Sequence, residues 1–527
     1  MVATMRRSIA IIFNIAGTFF MLSTVCSVLV TNGFAQVGPP RSQQPGSQAN
    51  PLPLSGRTAQ NGSVTATQTP VPGTTTSVNT INPTVQIQGP YSGSIPSTAR
   101  LPFSGRLSLR EAIQRGLEYN LGAVGLTQLV RQTRGQEKSA RGALMPNISA
   151  SLNETVEQLN LTASGLRISS PIPGFSLPSI VGPFNVFDAR ASLSQSVVDL
   201  TAWHNYRSAS ETARAGERLA DDARDLIVLA VGGSYLQVIA AKARVESAQA
   251  QVETANALYQ QAAQQRAVGV LAQVDVNRSQ VQLLTQQQRL LSLQNDLAKQ
   301  KISLARLTGV PVSDLYDISD DVPFSPAPPL TLEEALKQAF EHRSDLKAAQ
   351  AQVRAANQSI SAARAERLPS FSINADYGAI GTTPFQSHGT FAVAATIRIP
   401  IWTGGRTEGN ILQAEAALTQ RQAEFEDLKG RIEGEIRNAY LDLQAAAGQV
   451  DIATKNIQVS RQNLDLTRQR FDAGVSDNVD VVQSQEAVST ARLDYINSVF
   501  AHNLAKLSLA RALGRANENL TMFLKLQ

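Results

Sequence analysis

Cysteine is almost missing from this chain of 527 residues, and its one copy, Cys26, sits inside an N-terminal apolar run. If that run is removed, the mature chain has no thiol, which excludes disulfides and cysteine chemistry. Histidine is equally sparse. The four copies, at 204, 342, 388 and 502, have no metal-ligand spacing, and no phosphate-binding glycine loop occurs. No enzyme and no cofactor are therefore expected. Aromatic residues make up 5% of the chain and charged residues 17%. That composition suits long helices packed through small side chains better than a large globular core. The net charge is +5 but is interspersed along the chain; with no basic stripe, nucleic acid is not an expected partner. Proline is absent between Phe184 and Val310 and again after Pro400, so nothing breaks a helix there.

What the chain does have is a long internal repeat. Tyr235 to Gly309 aligns without a gap on Tyr440 to Gly514, a shift of 205 residues, and Leu107 to Pro146 aligns on Leu330 to Pro369 at a shift of 223. A unit of about 200 residues used twice is too long for a solenoid repeat; it implies two similar subdomains about a pseudo-twofold axis. Ahead of the repeats, Arg6 and Arg7 precede an apolar run from Ile9 to Val30, then Gly33-Phe34-Ala35, a small-x-small cleavage site. Residues 1–35 read as a signal peptide, with a retained membrane anchor as the alternative. Ser23-Thr24-Val25 before Cys26 does not suit lipoprotein processing. Residues 36–100, rich in Pro, Ser, Thr and Gln, are expected to be disordered. The first repeat then spans 101–310, a Pro-rich acidic linker 311–329, the second repeat 330–520, and a tail 521–527.

Within each repeat the order is the same. Ser108 with Glu111, and Thr331 with Glu334, look like capping boxes that open helices running to Pro146 and Pro369. Beyond each proline the apolar period changes from helical to two. Ile148, Ala150, Leu152 and Val156 alternate with polar residues, as do Phe187, Ala189, Ala191 and Leu193. The second repeat shows the same in Phe371, Ile373 and Tyr377, and in Phe391, Val393 and Ile397. These four strands exceed the usual five or six residues and fit bilayer-crossing strands of about 9–11 residues; a half-buried soluble hairpin is the alternative. Very long helices follow, Leu200 to Val268 and Gly405 to Ala473, each with a return helix, Ala272 to Thr308 and Asp477 to Leu513. On the first return helix Val274, Val281, Leu284, Leu291, Ala298, Ile302 and Ala305 make a coiled-coil-like seam. One seam joins only two helices, so closing a wall requires more than one per helix.

The turns between long helix and return helix carry the most specific local signal: Arg266-Ala267-Val268-Gly269 leading to Asp275-Val276, and Arg470-Phe471-Asp472-Ala473-Gly474-Val475-Ser476 leading to Asp480-Val481. They resemble the Arg-Tyr/Phe-x-x-Gly-x-x-Ser-x-x-Asp-Val turn of TolC-type outer-membrane efflux proteins. The second copy matches well; the first lacks the aromatic and the Ser. The junction Pro400-Ile401-Trp402-Thr403-Gly404-Gly405-Arg406 is similar to that family's Pro-Leu-Phe-Asp-Gly-Gly-Arg. The resemblance covers residues 100 to 520. It implies a mainly α, internally duplicated protomer of a homotrimer, with four strands per chain in one twelve-stranded transmembrane barrel and the helices forming a periplasmic α-barrel. It further implies an outer-membrane exit duct of a Gram-negative bacterium, serving a tripartite efflux or type I secretion system with a periplasmic adaptor protein and an inner-membrane transporter. Ile148, Leu152, Phe187, Leu193, Phe371, Ile373, Tyr377, Phe391, Val393 and Ile397 would then face outer-membrane lipid. By family position Asp480 would belong to a ring of carboxylates at the periplasmic mouth. Asp275 would join the closing contacts, with Phe471 and Ser476 at its partner positions. Helix N-terminal stabilisation is the alternative for both acids. The rival function is a soluble periplasmic coiled-coil adaptor or scaffold.

Overall fold

In the computed structural model the described residues are 62–71, 80–95, 105–161, 163, 178–269, 271–313, 316–473, 475, 478–517 and 523–524. The signal peptide and most of the loop between the first pair of long strands lie outside them. So do Gly474 and Ser476.

The first repeat consists of β3 (Arg106–Leu107), α1 (Leu109–Tyr119), α2 (Leu121–Gly142), β4 (Asn147–Asn160), β5 (Ile180–Val198), α3 (Leu200–Ala267) and α4 (Gln273–Thr308). After β6 (Asp317–Ile318) the second repeats the order with α5 (Leu332–His342), α6 (Ser344–Ala365), β7 (Ser370–Gly381), β8 (Ser387–Arg398), α7 (Arg406–Asp472) and α8 (Asn478–Ala512). At 68 and 67 residues, α3 and α7 are each about 100 Å long. Helix α3 is also the one described helix long and apolar enough to cross a membrane, but its apolar window is 72% buried inside the protein. Ile227, Val228, Val231, Tyr235 and Leu236 of that window form the main core with Leu504, Leu507 and Leu513.

Two expectations are corrected. The stacked helices, read as continuous to Pro146 and Pro369, each break once, at Asn120 (φ −63°, ψ 134°) and at Arg343 (φ −57°, ψ 124°), both outside the helical region. The two breaks share one repeat position. They are set by tertiary partners rather than by helix-breaking residues. The stretch 36–100, expected to be disordered, contains an antiparallel hairpin, β1 (Val64–Val71) with β2 (Thr80–Ile87). The hairpin is ordered by what lies beneath it. Val85 packs so closely on Gly233 of α3 that a Cβ there would sit 2.6 Å from it, and Gln68 Nε2 donates to Ala501 O of α8 at 3.2 Å.

Candidate functional site

Strands β4, β5, β7 and β8 form one four-stranded antiparallel sheet in the order β4-β5-β7-β8. Its register aligns Ile148 with Leu193, Leu193 with Ala375, and Ala375 with Val393. The next row on that face is Ala150, Ala191, Tyr377 and Phe391. Directly opposed residues share a face, and a strand's face repeats every second residue. All ten residues expected to meet lipid therefore lie on one side. Ile148, Leu152, Tyr377, Phe391, Val393 and Ile397 are exposed, Tyr377 by 71% and Phe391 by 77%, while Phe187, Leu193, Phe371 and Ile373 are half-buried. Glu154, Asn185, Gln195 and Ser387 are polar exceptions on this face.

The opposite face is chiefly polar and carries an ionic cluster that the strand pattern alone did not assemble. Arg190 donates through Nε to Asp188 at 2.9 Å and through Nη1 to Asp376 at 3.1 Å, and Ser194 Oγ bonds Asn374 Oδ1 at 2.9 Å. The sequence signal was present, since Asp188 and Arg190 stand two apart and so share a face. The partner strand was not visible from either. At the base of β8, Pro400 leads into Gly404 (φ 64°) and Gly405 (φ 81°), the latter capping α7, whose first residue is Arg406. Two successive left-handed residues at the start of a helix are a task for glycine. Ile401 and Trp402 beside them are 95% and 88% exposed.

At the opposite ends of the long helices, Gly269 has a φ of 80° and Phe471 is half-buried. Asp275 and Asp480 both fall in the first turn of their helices, α4 and α8. Asp275 pairs with Arg278 of its own helix at 3.2 Å, and Asp480 is exposed. Both placements suit the helix dipole. No group of three His, Cys, Asp or Glu among the described residues could hold a metal ion.

Helix packing divides the seam expected on α4. In its first half Val276, Ser279, Leu283 and Gln286 are buried, and toward its end Leu304, Ala305, Leu307 and Thr308; α3 is its main helical neighbour. Of the residues read from sequence as the seam, Val274, Val281, Leu284, Leu291 and Ile302 point outward and are 45–69% exposed, whereas Ala305 is buried. A matching outward stripe on α7 is Leu441, Ile452, Val459 and Leu466. Higher up, α6 packs on both α3 and α7 and buries ten residues, seven of them alanines spread along its length from Ala348 to Ala365. Its repeat counterpart α2 packs mainly on α3 and buries only Gly122 and Thr133.

Residues 126–310 and 335–515 match the model of the outer membrane efflux protein family. The chain is 23% identical to outer membrane protein TolC of Vibrio cholerae over 387 residues, 72% of this chain and 86% of that protein. It is 25% identical to outer membrane protein OprJ of Pseudomonas aeruginosa over 431 residues, covering 77% and 84%. Its fold is similar to the outer membrane channel CmeC of Campylobacter jejuni (TM-score 0.67, 16% identity, 77% and 86% covered). It is also similar to the open state of the MtrE outer membrane channel of Neisseria gonorrhoeae (TM-score 0.65, 19% identity, 83% and 98% covered). With both repeats matched and the strand-bearing sheet and paired long helices in place, the chain belongs to the outer membrane efflux protein family.

Proposed function

We propose that this chain is one of three copies that together form an outer-membrane exit duct, a passive conduit from periplasm to exterior in a tripartite efflux or type I secretion system. A periplasmic adaptor and an inner-membrane transporter supply recruitment and energy. The observation that carries the reading is the unequal burial of α2 and α6. Helix α6 is packed by both long helices, α3 and α7, whereas α2 has only one of them, α3, so the missing neighbour is α7 of another copy. The outward stripes on α4 and α7 have the same explanation. So do the edges of β4 and β8, since unpaired strand edges are not tolerated in lipid. Three copies of a four-stranded sheet give the twelve strands that the resemblance implies, with the apolar face toward lipid and the Asp188–Arg190–Asp376 face toward the lumen. A soluble adaptor has no use for such an apolar sheet face.

In this assembly three Asp480 carboxylates gather at the periplasmic mouth and attract cations, while Asp275 contributes to contacts between helices. Single-channel recording in planar bilayers tests the assignment. Asp480→Asn is expected to lower cation preference by roughly twofold or more and to weaken block by multivalent cations. Asp275→Asn is expected to raise resting conductance. Unchanged selectivity and block in Asp480→Asn would return Asp480 to a plain helix-end role.

A further inference from the structure

The two strand-to-helix junctions are built differently. In the first repeat β5 ends at Val198 and α3 starts at Leu200. Asp199 between them caps the helix, its Oδ1 accepting from Ala202 N at 2.8 Å. In the second, residues 399–405 separate β8 from α7, and Gly405 caps the helix without a side-chain bond. This loop opens on an apolar run, Ile399-Pro400-Ile401-Trp402. Its Ile399, Ile401 and Trp402 are all exposed. The other three strands carry exposed apolar residues at the same end: Met145 ahead of β4, Val198 at the end of β5 and Leu368 ahead of β7. An apolar rim therefore passes beneath all four strands.

The height of the sheet's apolar face indicates what covers this rim. On β8 that face stops, away from the helices, at Phe391, because Gly389 and Ser387 continue it. Phe391 stands opposite Tyr377, an aromatic row suited to one membrane–water boundary. From Phe391 to Ile397, the last apolar residue of the face within the strand, the chain advances about 20 Å at ~3.4 Å per residue, or about 16 Å of height at a barrel tilt of about 40°. The apolar band of a barrel is about 25 Å tall, so the strand alone is too short. Carried on to Ile401 at the same rise and tilt, the height becomes about 26 Å. Trp402 then falls at the second boundary, where an indole keeps its ring in apolar and its N–H in polar surroundings.

We propose that the periplasmic leaflet of the outer membrane extends past the sheet to this junction, with Ile401 among phospholipid acyl chains and Trp402 at their headgroup boundary. The assignment rests on the reading of the sheet's apolar face as lipid-facing. Gly404 and Gly405, both left-handed, turn the chain into α7 directly after this anchor. The competing cover is the neighbouring copy that pairs with the edge of β8. Such a copy reaches only the rim under the edge strands β4 and β8, whereas Val198 and Leu368 lie at the ends of the inner strands β5 and β7.

The chain has two tryptophans, so Trp203→Phe leaves Trp402 as the sole indole. The full-length protein is reconstituted in phosphatidylcholine vesicles that carry bromine either near the glycerol end of the acyl chain or near its tail. Emission of Trp402 is expected to fall roughly twofold with the shallow bromine and clearly less with the deep one. In a control, Trp203→Phe and Trp402→Phe are combined with Phe391→Trp, which reports whether the sheet itself meets lipid. Quenching in the control with none at Trp402 overturns the proposal and leaves the duct reading standing, since a neighbouring copy or water then covers the junction. Stronger quenching of Trp402 by the deep bromine also overturns it, because the junction then lies in the bilayer core. Quenching at neither position removes both the anchor and the lipid-facing sheet.

Discussion

The break in the stacked helices occurs twice at one repeat position, and the two breaks are held by opposite chemistries. At the first, Asn120 is fully buried. Its Nδ2 donates to Tyr91 O at 2.8 Å, and its Oδ1 accepts from Gly122 N at 2.9 Å. Tyr91 fills the space a side chain at 122 would need, since a Cβ there would lie 2.4 Å from its ring. At the second break Arg343 is 2% exposed, and Asp345 occupies the position of Gly122. Arg343 binds Asp345 through Nε at 3.0 Å and Nη2 at 2.6 Å, and also reaches Glu435. Each break is covered by one end of the chain. Gly93 O accepts from Leu121 N at 2.9 Å at the first. At the second, Arg515 donates to His342 Nε2 at 2.7 Å, and Asn517 N donates to Asp225 at 2.9 Å. One backbone device is thus satisfied once by a neutral amide and a tyrosine and once by a buried ionic group. The repeat preserves the geometry and leaves the means open.

The sharpest way to break the equivalence is to remove both central side chains. Arg343→Ala leaves Asp345 without its bidentate partner and is expected to cost about 3–5 kcal/mol, the penalty for breaking a buried ion pair. Asn120→Ala loses a cap and two neutral bonds, a cost of about 1–2 kcal/mol. Denaturant titration of the two variants measures the ratio. Equal losses would mean that the ionic break is no more demanding than the neutral one.

A smaller effect sharpens the comparison through pH. Asp222 of α3 pairs with Arg511 at 2.6 Å. Burial pushes its carboxyl up to about 6 against the pull of Arg511. A folded-state value above the unfolded one means that this contribution is complete below about 4 and is lost as pH rises through about 6. The stability of the unmodified chain relative to Asp222→Asn should therefore fall between about pH 4 and about pH 7. A difference that stays constant across that window would remove Asp222 from the pH response. The neutral break at Asn120 has no such group of its own.

Much of this fold was legible because it rests on period and register. The four strands, the two very long helices and their return helices follow from apolar spacing and from the placement of proline. The helix breaks were hidden, since the local bonds of Asn120 to Gly122 and of Arg343 to Asp345 are completed by Tyr91 and Glu435, partners far away in sequence. The hairpin at 64–87 was hidden for the same reason: its polar composition carries no core of its own, and it is ordered by Gly233 and Ala501 beneath it. On α4 the visible seam of Val281, Leu284 and Leu291 proved to be the outward one. The inward contact uses Ser279 and Gln286, which pattern alone does not mark as buried. At the turns Asp275 and Asp480 were legible as first-turn acids, and Asp275 pairs with Arg278 of its own helix.

The unequal burial of α2 and α6 puts the whole reading at risk in one experiment. Light scattering on the detergent-extracted protein, with detergent mass subtracted, counts the chains per particle. Three chains are expected, together with retention of the trimer when Asp480 is replaced by Asn. A monodisperse single chain, stable in aqueous buffer without detergent, would contradict the assembly and the duct with it.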